Sequence, residues 1–216
     1  MDKDKFKRYE SFAYSTVYSE PETPEFHTPL IKMAVENFFD KLSLDKESLI
    51  YDIGCGQGAF LEQMESRGYH NIVGVTLSND DADACKDKGF SVDQCDMSDL
   101  LLNDEQIDLI WCRHALEHSP YPLFTLLEFN RTLKTGGKLY VEVPAPELPR
   151  LHEFNSNHYS ILGPKMWAAL FSRTGFAVNT FNEMKFQVQE PNKDAVDEVF
   201  YCFLLEKKYA ISYTEG

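Results

Sequence analysis

The chain is short of positive charge. Twenty-one lysines and arginines stand against 35 aspartates and glutamates, a formal net charge of −14. That deficit excludes a broad grip on DNA or long RNA, which needs cations set against phosphates, but leaves an RNA end open. The acidic surface reads as serving solubility. Cysteine is scarce and odd in number, five with no C-x-x-C pair, so neither a disulfide framework nor a cysteine zinc site is expected, and a reducing cytoplasm is the default. No apolar run approaches the ~18 residues of a membrane span. Met1-Asp2-Lys3-Asp4-Lys5 lacks the apolar core of a signal peptide. Internal repeats and low-complexity segments are also missing, and nothing bears on oligomeric state. With 43% hydrophobic and 26% charged residues over 216 positions, one ordinary globular domain with its own core is expected.

What the chain has instead is one dense stretch, Leu49-Ile50-Tyr51-Asp52-Ile53-Gly54-Cys55-Gly56-Gln57-Gly58. An apolar run holding one aspartate ends in three glycines at alternate positions. It reads as a short buried parallel strand and a tight turn. Residues 58–67 follow at helical spacing. A strand, a glycine turn and a helix start make a cradle: backbone approaches a ligand with no Cβ between, and the first helical N–H groups have no intrahelical acceptor.

The remainder alternates in the same way. Residues 1–28 are charged, then aromatic (Phe6, Tyr9, Phe12, Tyr14, Tyr18). Residues 1–45 are expected to form a helical flap or lid within the same domain as residues 46–216. Thr28-Pro29 predicts a helix start, with Ile31, Val35, Phe38 and Leu42 on the buried face. Strands are expected at 49–53, 72–77, 90–94, 107–112 and 138–143, with helices near 58–67 and 79–88. Ser119-Pro120 predicts the start of another helix and Gly136-Gly137 its end. Pro144, Pro146 and Pro149 then open a long connection holding His152 and His158, too long to be only a linker. A helix from Gly163-Pro164 to Gly175 follows, and two β-like runs, 176–185 and 198–207, predict an antiparallel hairpin at the sheet edge. The fold class is α/β, a mostly parallel Rossmann-like sheet with helices on both faces.

Gly54, Gly56 and Ala59 also satisfy G-x-G-x-x-A, the dinucleotide fingerprint. That reading needs an acidic residue about 20 positions on, ending strand two. Thr76 stands there, and Asp80 and Asp81 come late, which counts against a nicotinamide-dependent oxidoreductase.

Three stretches in order shift the balance: Asp-Ile-Gly-Cys-Gly-Gln-Gly at 52–58, His-Ala-Leu-Glu-His-Ser-Pro at 114–120, and Arg-Thr-Leu-Lys-Thr-Gly-Gly-Lys-Leu at 131–139. Together they closely resemble the class I S-adenosylmethionine-dependent methyltransferases, over residues 49–143 and more loosely to 207. The resemblance implies a seven-stranded sheet with an antiparallel last strand. It also implies S-adenosylmethionine on the glycine turn, with Asp52, Gly54, Gly56, Gln57 and Gly58 against its methionine part. Asp96, followed by Met97, matches the position that accepts from the adenine amino group, against a plain N-cap as the alternative. Thr76 replaces the usual ribose-binding acid, within a Val-Thr-Leu-Ser stretch similar to one in the cyclopropane fatty acid synthase branch. Leu77 and Arg113 complete the expected cofactor contacts.

His114, Glu117 and His118 stand at i, i+3 and i+4, and on a helix they would share one face at the carboxyl end of strand four, where open α/β sheets bind ligands. Three readings remain open. A histidine acts as general base near its working pKa. Or the three, with His152 or His158 as a fourth, ligate a divalent cation. The resemblance links that set to the Glu-x-x-Glu-His sites of ubiquinone-pathway O-methyltransferases and small-RNA 2′-O-methyltransferases, with His114 in place of the first glutamate and a softer metal than magnesium expected. Or Glu117 and His118 only shape the turn. His114, His118 and His158 are taken as candidate catalytic residues, and a divalent metal, though possible, is not assigned. Trp111 reads as core and Cys55 as a small filler. Two functions follow. One is methyl transfer to an oxygen, nitrogen or carbon of a small or medium acceptor enclosed by residues 1–45 and 144–162, with S-adenosylhomocysteine released. The other is a catalytically silent relative that holds the cofactor or a protein.

Overall fold

The protein was analysed as a computed structural model, which describes residues 24–189 and 194–212 together with positions 4, 7, 8, 11 and 12. Its elements are α1 (Pro24–Asn37), β1 (Ile50–Ile53), α2 (Ala59–Ser66), β2 (Ile72–Val75), α3 (Asn79–Asp87), β3 (Ser91–Asp93), β4 (Ile107–Arg113), α4 (Pro122–Thr132), β5 (Leu133–Pro144), α5 (Pro164–Arg173), β6 (Phe176–Val188) and β7 (Val196–Lys207). The strands form one seven-stranded sheet in the order β3-β2-β1-β4-β5-β7-β6. The first five are parallel, and β7 lies antiparallel between β5 and β6. The terminal hairpin is therefore at the sheet edge, as its two apolar runs predict. It folds back so that the last strand, not the first of the pair, meets the parallel sheet.

Alternate side chains on the strands face two cores. Ile110, Cys112, Leu139, Val141, Phe203 and Leu205 pack with α4 and α5. Leu109, Trp111, Tyr140, Phe200 and Cys202 pack on the other face with α1, α2 and α3. Trp111 is the centre of that second core. Its ring lies between Phe60 (centroids 4.5 Å apart, 8° between planes) and Tyr140 (3.9 Å, 19°). Aromatic pairs in favourable geometry add about 0.5–1.5 kcal/mol each beyond the area they bury. Trp111 is core, as its place in an apolar strand suggests.

Three boundaries differ from expectation. The first helix runs from Pro24, so Pro29 is inside it and removes one i→i−4 hydrogen bond instead of opening it. The helix expected at Ser119-Pro120 starts at Pro122, the second proline of the segment, which takes the first helical position. That helix ends at Thr132, and Gly136-Gly137 lies within β5. There β5 advances five residues while β4 advances two. The glycine pair makes the bulge: Gly136 has φ +85°, and a Cβ on Gly137 would sit 2.8 Å from the Lys134 carbonyl oxygen. Among the flap aromatics, Phe6, Tyr9, Tyr14 and Tyr18 lie outside the described residues, and Phe12 is exposed. No helix among the described residues is long and apolar enough to cross a membrane.

Candidate active site

The carboxyl ends of β3, β2, β1 and β4 stand side by side, and the expected cofactor residues fall along that edge. Beyond β1 the chain turns through Gly54 (φ +71°), Gly56 (+49°) and Gly58 (+88°), a conformation that only glycine adopts without strain. Gly54 and Cys55 donate to the Val75 carbonyl, at 2.9 and 3.1 Å, which hooks the turn onto β2. A Cβ on Gly54 would lie 2.7 Å from the Ala115 Cβ, so glycine is needed for packing as well as for φ. Gly58 begins α2 with no side-chain cap, and the N–H groups of that first turn point out of the helix start. Asp52 is buried in the strand below. Bare backbone, uncapped N–H groups and one buried carboxylate fit the amino-acid end of a sulfonium nucleoside. Cys55 and Cys85 lie buried beneath the turn with sulfurs 4.0 Å apart. The five cysteines stay as thiols. Hydrogen bonding to Cys85 and burial push the Cys55 thiol far above its usual range, so Cys55 is a filler and not a nucleophile.

The residues expected at the ribose and the adenine are already engaged within the chain. Thr76 is buried, and its hydroxyl oxygen accepts from its own Ser78 N–H at 3.1 Å. The Asp96 carboxylate accepts from Ser98 N–H at 2.7 Å, closing a turn completed by Asp99 N–H on the Asp96 carbonyl. No helix follows Asp96, so it is not the N-cap weighed for it; its side chain closes a local turn. Leu77 is exposed, and Met97 is packed against the core.

The His114–Glu117–His118 segment is not an α-helix. His114 has φ +49°, and only Leu116–His118 forms a 3-10 turn. The i, i+4 face therefore does not form; Glu117 stands between the other two, touching His114 and approaching His118. His114 Nδ1 lies 3.3 Å from Glu117 and its Nε2 3.1 Å from Glu142. Burial and Arg113 press its pKa down, but the two carboxylates carry it above its usual value. With both nitrogens held and its proton favoured, His114 is a clamp on the turn, not a free base.

Glu142 was missed in the sequence. It lies wholly buried on β5 opposite Arg113 of β4. Arg113 Nε is 2.7 Å from its carboxylate, and the Tyr140 hydroxyl donates to it at 2.6 Å. Burial works to raise the Glu142 carboxyl, yet Arg113 and His114 hold it at about 2. Arg113, expected on the cofactor, is thus an ion-pair partner. Its Nε and Nη2 have no well-aligned hydrogen-bond acceptor among the described residues. The signal was a charge at position 142 inside the apolar run Leu139–Val143, which demands a buried partner.

Glu117, His118 and His158 do meet. One ligand atom from each lies within 4.8 Å of the other two. His158 comes from the connection after β5, and its ring stands 4.8 Å from that of His118 at 73°. The connection is fixed to the turn by Tyr159 and Ser160 N–H groups on the Glu117 carbonyl, at 2.9 and 3.0 Å. His152, the other candidate in that connection, pairs with buried Glu198 at 2.9 Å; its ring stacks on His158 and its carbonyl lies 2.9 Å from His158 Nδ1.

Residues 51–141 match the family described as a methyltransferase domain. A ubiquinone biosynthesis O-methyltransferase from Hahella chejuensis is 26% identical over 147 residues, covering 65% of this chain and 60% of that one. The chain spans less than two thirds of the length of the first curated relatives it matches. A chain of the complex between the Haloferax volcanii Trm112 methyltransferase activator and a putative methyltransferase superposes with TM-score 0.75 at 18% identity, covering 99% of this chain and all of that one. A SAM-dependent methyltransferase from Archaeoglobus fulgidus does so with TM-score 0.67 at 18% identity, over 85% of this chain and 97% of that one. The sheet order and the glycine turn at the tip of β1 give the chain the fold of the S-adenosylmethionine-dependent methyltransferases it superposes on, and residues 51–141, which span both, are similar to the methyltransferase domain family.

Proposed function

We propose that the protein transfers a methyl group from S-adenosylmethionine to a small acceptor, with an oxygen as the accepting atom. The observation that carries the reading is the turn of Gly54, Gly56 and Gly58 over the uncapped start of α2. The relatives named as O-methyltransferases support oxygen over nitrogen or carbon. The cofactor, when bound, supplies a methyl group already activated on a sulfonium. The chain's own tasks are alignment, exclusion of water and activation of the acceptor. Asp52 and the glycine backbone would hold the amino-acid tail, with Asp96, Met97 and Leu77 beside the base. Residues 144–162, pinned to the β4 turn through the Glu117 carbonyl, would wall the acceptor against it. Glu117, His118 and His158, gathered within 4.8 Å, would draw the proton from an acceptor hydroxyl.

The test is S-adenosylhomocysteine formation by the full chain over a panel of phenols, alcohols and amines, with calorimetric binding of S-adenosylhomocysteine measured in parallel. Phenol turnover supports the reading, and absence of binding overturns it. A second reading, a silent cofactor-holding relative, draws on Thr76 and Asp96, whose side-chain oxygens serve their own turns. Binding without turnover on any acceptor would favour it.

A further inference from the structure

We propose that Arg113 is the centre of a carboxylate-binding site and that the methyl acceptor carries the carboxylate that docks there. The proposal rests on the methyl-transfer reading just given, but the binding itself is measurable without any transfer.

The guanidinium is fixed in place and incompletely used. Arg113 ends β4, and its side chain is 9% exposed. Its Nε lies 2.7 Å from Glu142, while its buried Nη2 has no hydrogen-bond acceptor among the described residues. Glu142 is already shared. Its Oε1 also meets His114 Nε2 at 3.1 Å, and its Oε2 accepts from the Tyr140 hydroxyl at 2.6 Å. The second oxygen that a guanidinium fork takes must come from elsewhere. A buried charged donor with an open N–H is costly, and a ligand oxygen would satisfy it.

The surroundings select the charge of the ligand. Leu30 and Ile31 of α1 share a core with Trp111 of β4, which brings His27, one turn earlier, toward Arg113. Burial lowers the His27 pKa, and the charges of Arg113, His114 and Arg150 lower it further against Glu142. The field there is positive on a chain of net charge −14, and a local field of one sign draws ligands of the other. Two carboxylates are already present, Glu142 and the buried Glu198, which meets Arg150 at 3.1 Å and His152 at 2.9 Å. They would repel a doubly charged phosphate more than a planar, singly charged carboxylate.

The position separates acceptor from cofactor. The cofactor turn lies at the tip of β1, on one side of β4. The groups around Arg113 and His114 come from the other side. They are Glu142 on β5, Arg150 in the connection after β5, and Phe200 of β7, whose ring is 4.2 Å from that of His114. The connection is the segment proposed to wall the acceptor. His114 also links this site to the proton-drawing group, since its other nitrogen lies 3.3 Å from Glu117. An acceptor that uses both is a hydroxy carboxylic acid.

The experiment follows 4-fluorobenzoate, which offers no hydroxyl, by fluorine NMR on the full-length protein, with 4-fluorobenzamide as its uncharged match. The expected result is saturable binding of the carboxylate at least tenfold tighter than of the amide, weakening as salt is raised. Arg150→Gln, at a partly exposed position, should weaken it at least threefold. The double variant Arg113→Met, Glu142→Leu removes the guanidinium with its counter-charge and should abolish the preference for the carboxylate. Lys46→Gln, on an exposed lysine before β1, should leave it unchanged. Circular dichroism checks each fold, and Arg150→Gln decides if the double variant is unfolded. No saturable binding, equal affinity for the amide, or a preference that survives in these variants overturns the proposal. S-adenosylhomocysteine carries a carboxylate of its own. Fluorobenzoate should stay bound when it is saturating, and displacement would assign Arg113 to the cofactor and overturn the proposal. If S-adenosylhomocysteine fails to bind while the carboxylate preference holds, the methyltransferase reading falls and the anion site stands.

Discussion

Replacing Glu142 with glutamine removes one negative charge from a place with no water. Glu142 is fully buried, and the Arg113 side chain is 9% exposed. Glutamine keeps the shape but leaves the guanidinium without a counter-charge, and breaking a buried pair from one side costs about 3–5 kcal/mol. The depressed Glu142 carboxyl points the same way. It falls from 4.5 to about 2 on folding, which corresponds to about 3 kcal/mol of stability at neutral pH. Since the folded value is depressed, that contribution is present above pH 4.5 and is lost as pH falls toward 2. For a chain of this size ~1 kcal/mol moves Tm by ~2–4 °C, so Glu142→Gln should melt about 10 °C lower. Urea unfolding at pH 7 gives the free energy, and the same titration at pH 3 should show a much smaller gap. The double variant Arg113→Met, Glu142→Leu should recover a large part of the loss, because no charge is then left buried. A Glu142→Gln protein within 1 kcal/mol of wild type at pH 7, or a double variant as unstable as the sum of its singles, would refute the account.

Gly54→Ala meets both a left-handed backbone, about 1–2 kcal/mol, and the Ala115 Cβ at 2.7 Å. Gly89→Ala meets only the first, with φ +90° and nothing within 4 Å. Gly54→Ala should therefore be the less stable in urea and should lose at least tenfold in S-adenosylhomocysteine affinity, while Gly89→Ala keeps it. Thr76→Val should change that affinity less than threefold, because its oxygen serves Ser78 N–H. It should instead cost about 1 kcal/mol of stability, and a tenfold affinity loss in calorimetry would restore Thr76 as the ribose ligand. His27 of α1 is carried down to about 4, by burial first and then by Arg113. Its neutral form favours the fold, so its contribution is whole above pH 6.5 and drains as pH drops to 4. His27→Gln should flatten the stability profile across that window.

The sequence displayed whatever depends on periodicity and turn chemistry. Ile110 and Cys112 face one core while Leu109 and Trp111 face the other, and the unbroken apolar run that a strand buried on both faces needs is visible in the sequence. The glycine turn was legible for the same reason: three residues in left-handed backbone leave few substitutes. The 114–118 segment was misjudged because spacing stood in for conformation. Pro120 and Pro122 follow closely, and a chain that must break before proline has room for one 3-10 turn only. His114 then takes φ +49°, held by its N–H on the Glu142 carbonyl at 2.8 Å. Once turned, its ring reaches Glu142 on the neighbouring strand, and Glu117 keeps one oxygen for other company. No local pattern announces that His158, forty positions past His118, closes the cluster, because the connection after β5 is placed by backbone bonds from Tyr159 and Ser160 to Glu117. The buried charge at Glu142 thus determines the site indirectly. It draws Arg113 and His114 toward the α1 face of the sheet and leaves Glu117, His118 and His158 turned to one another.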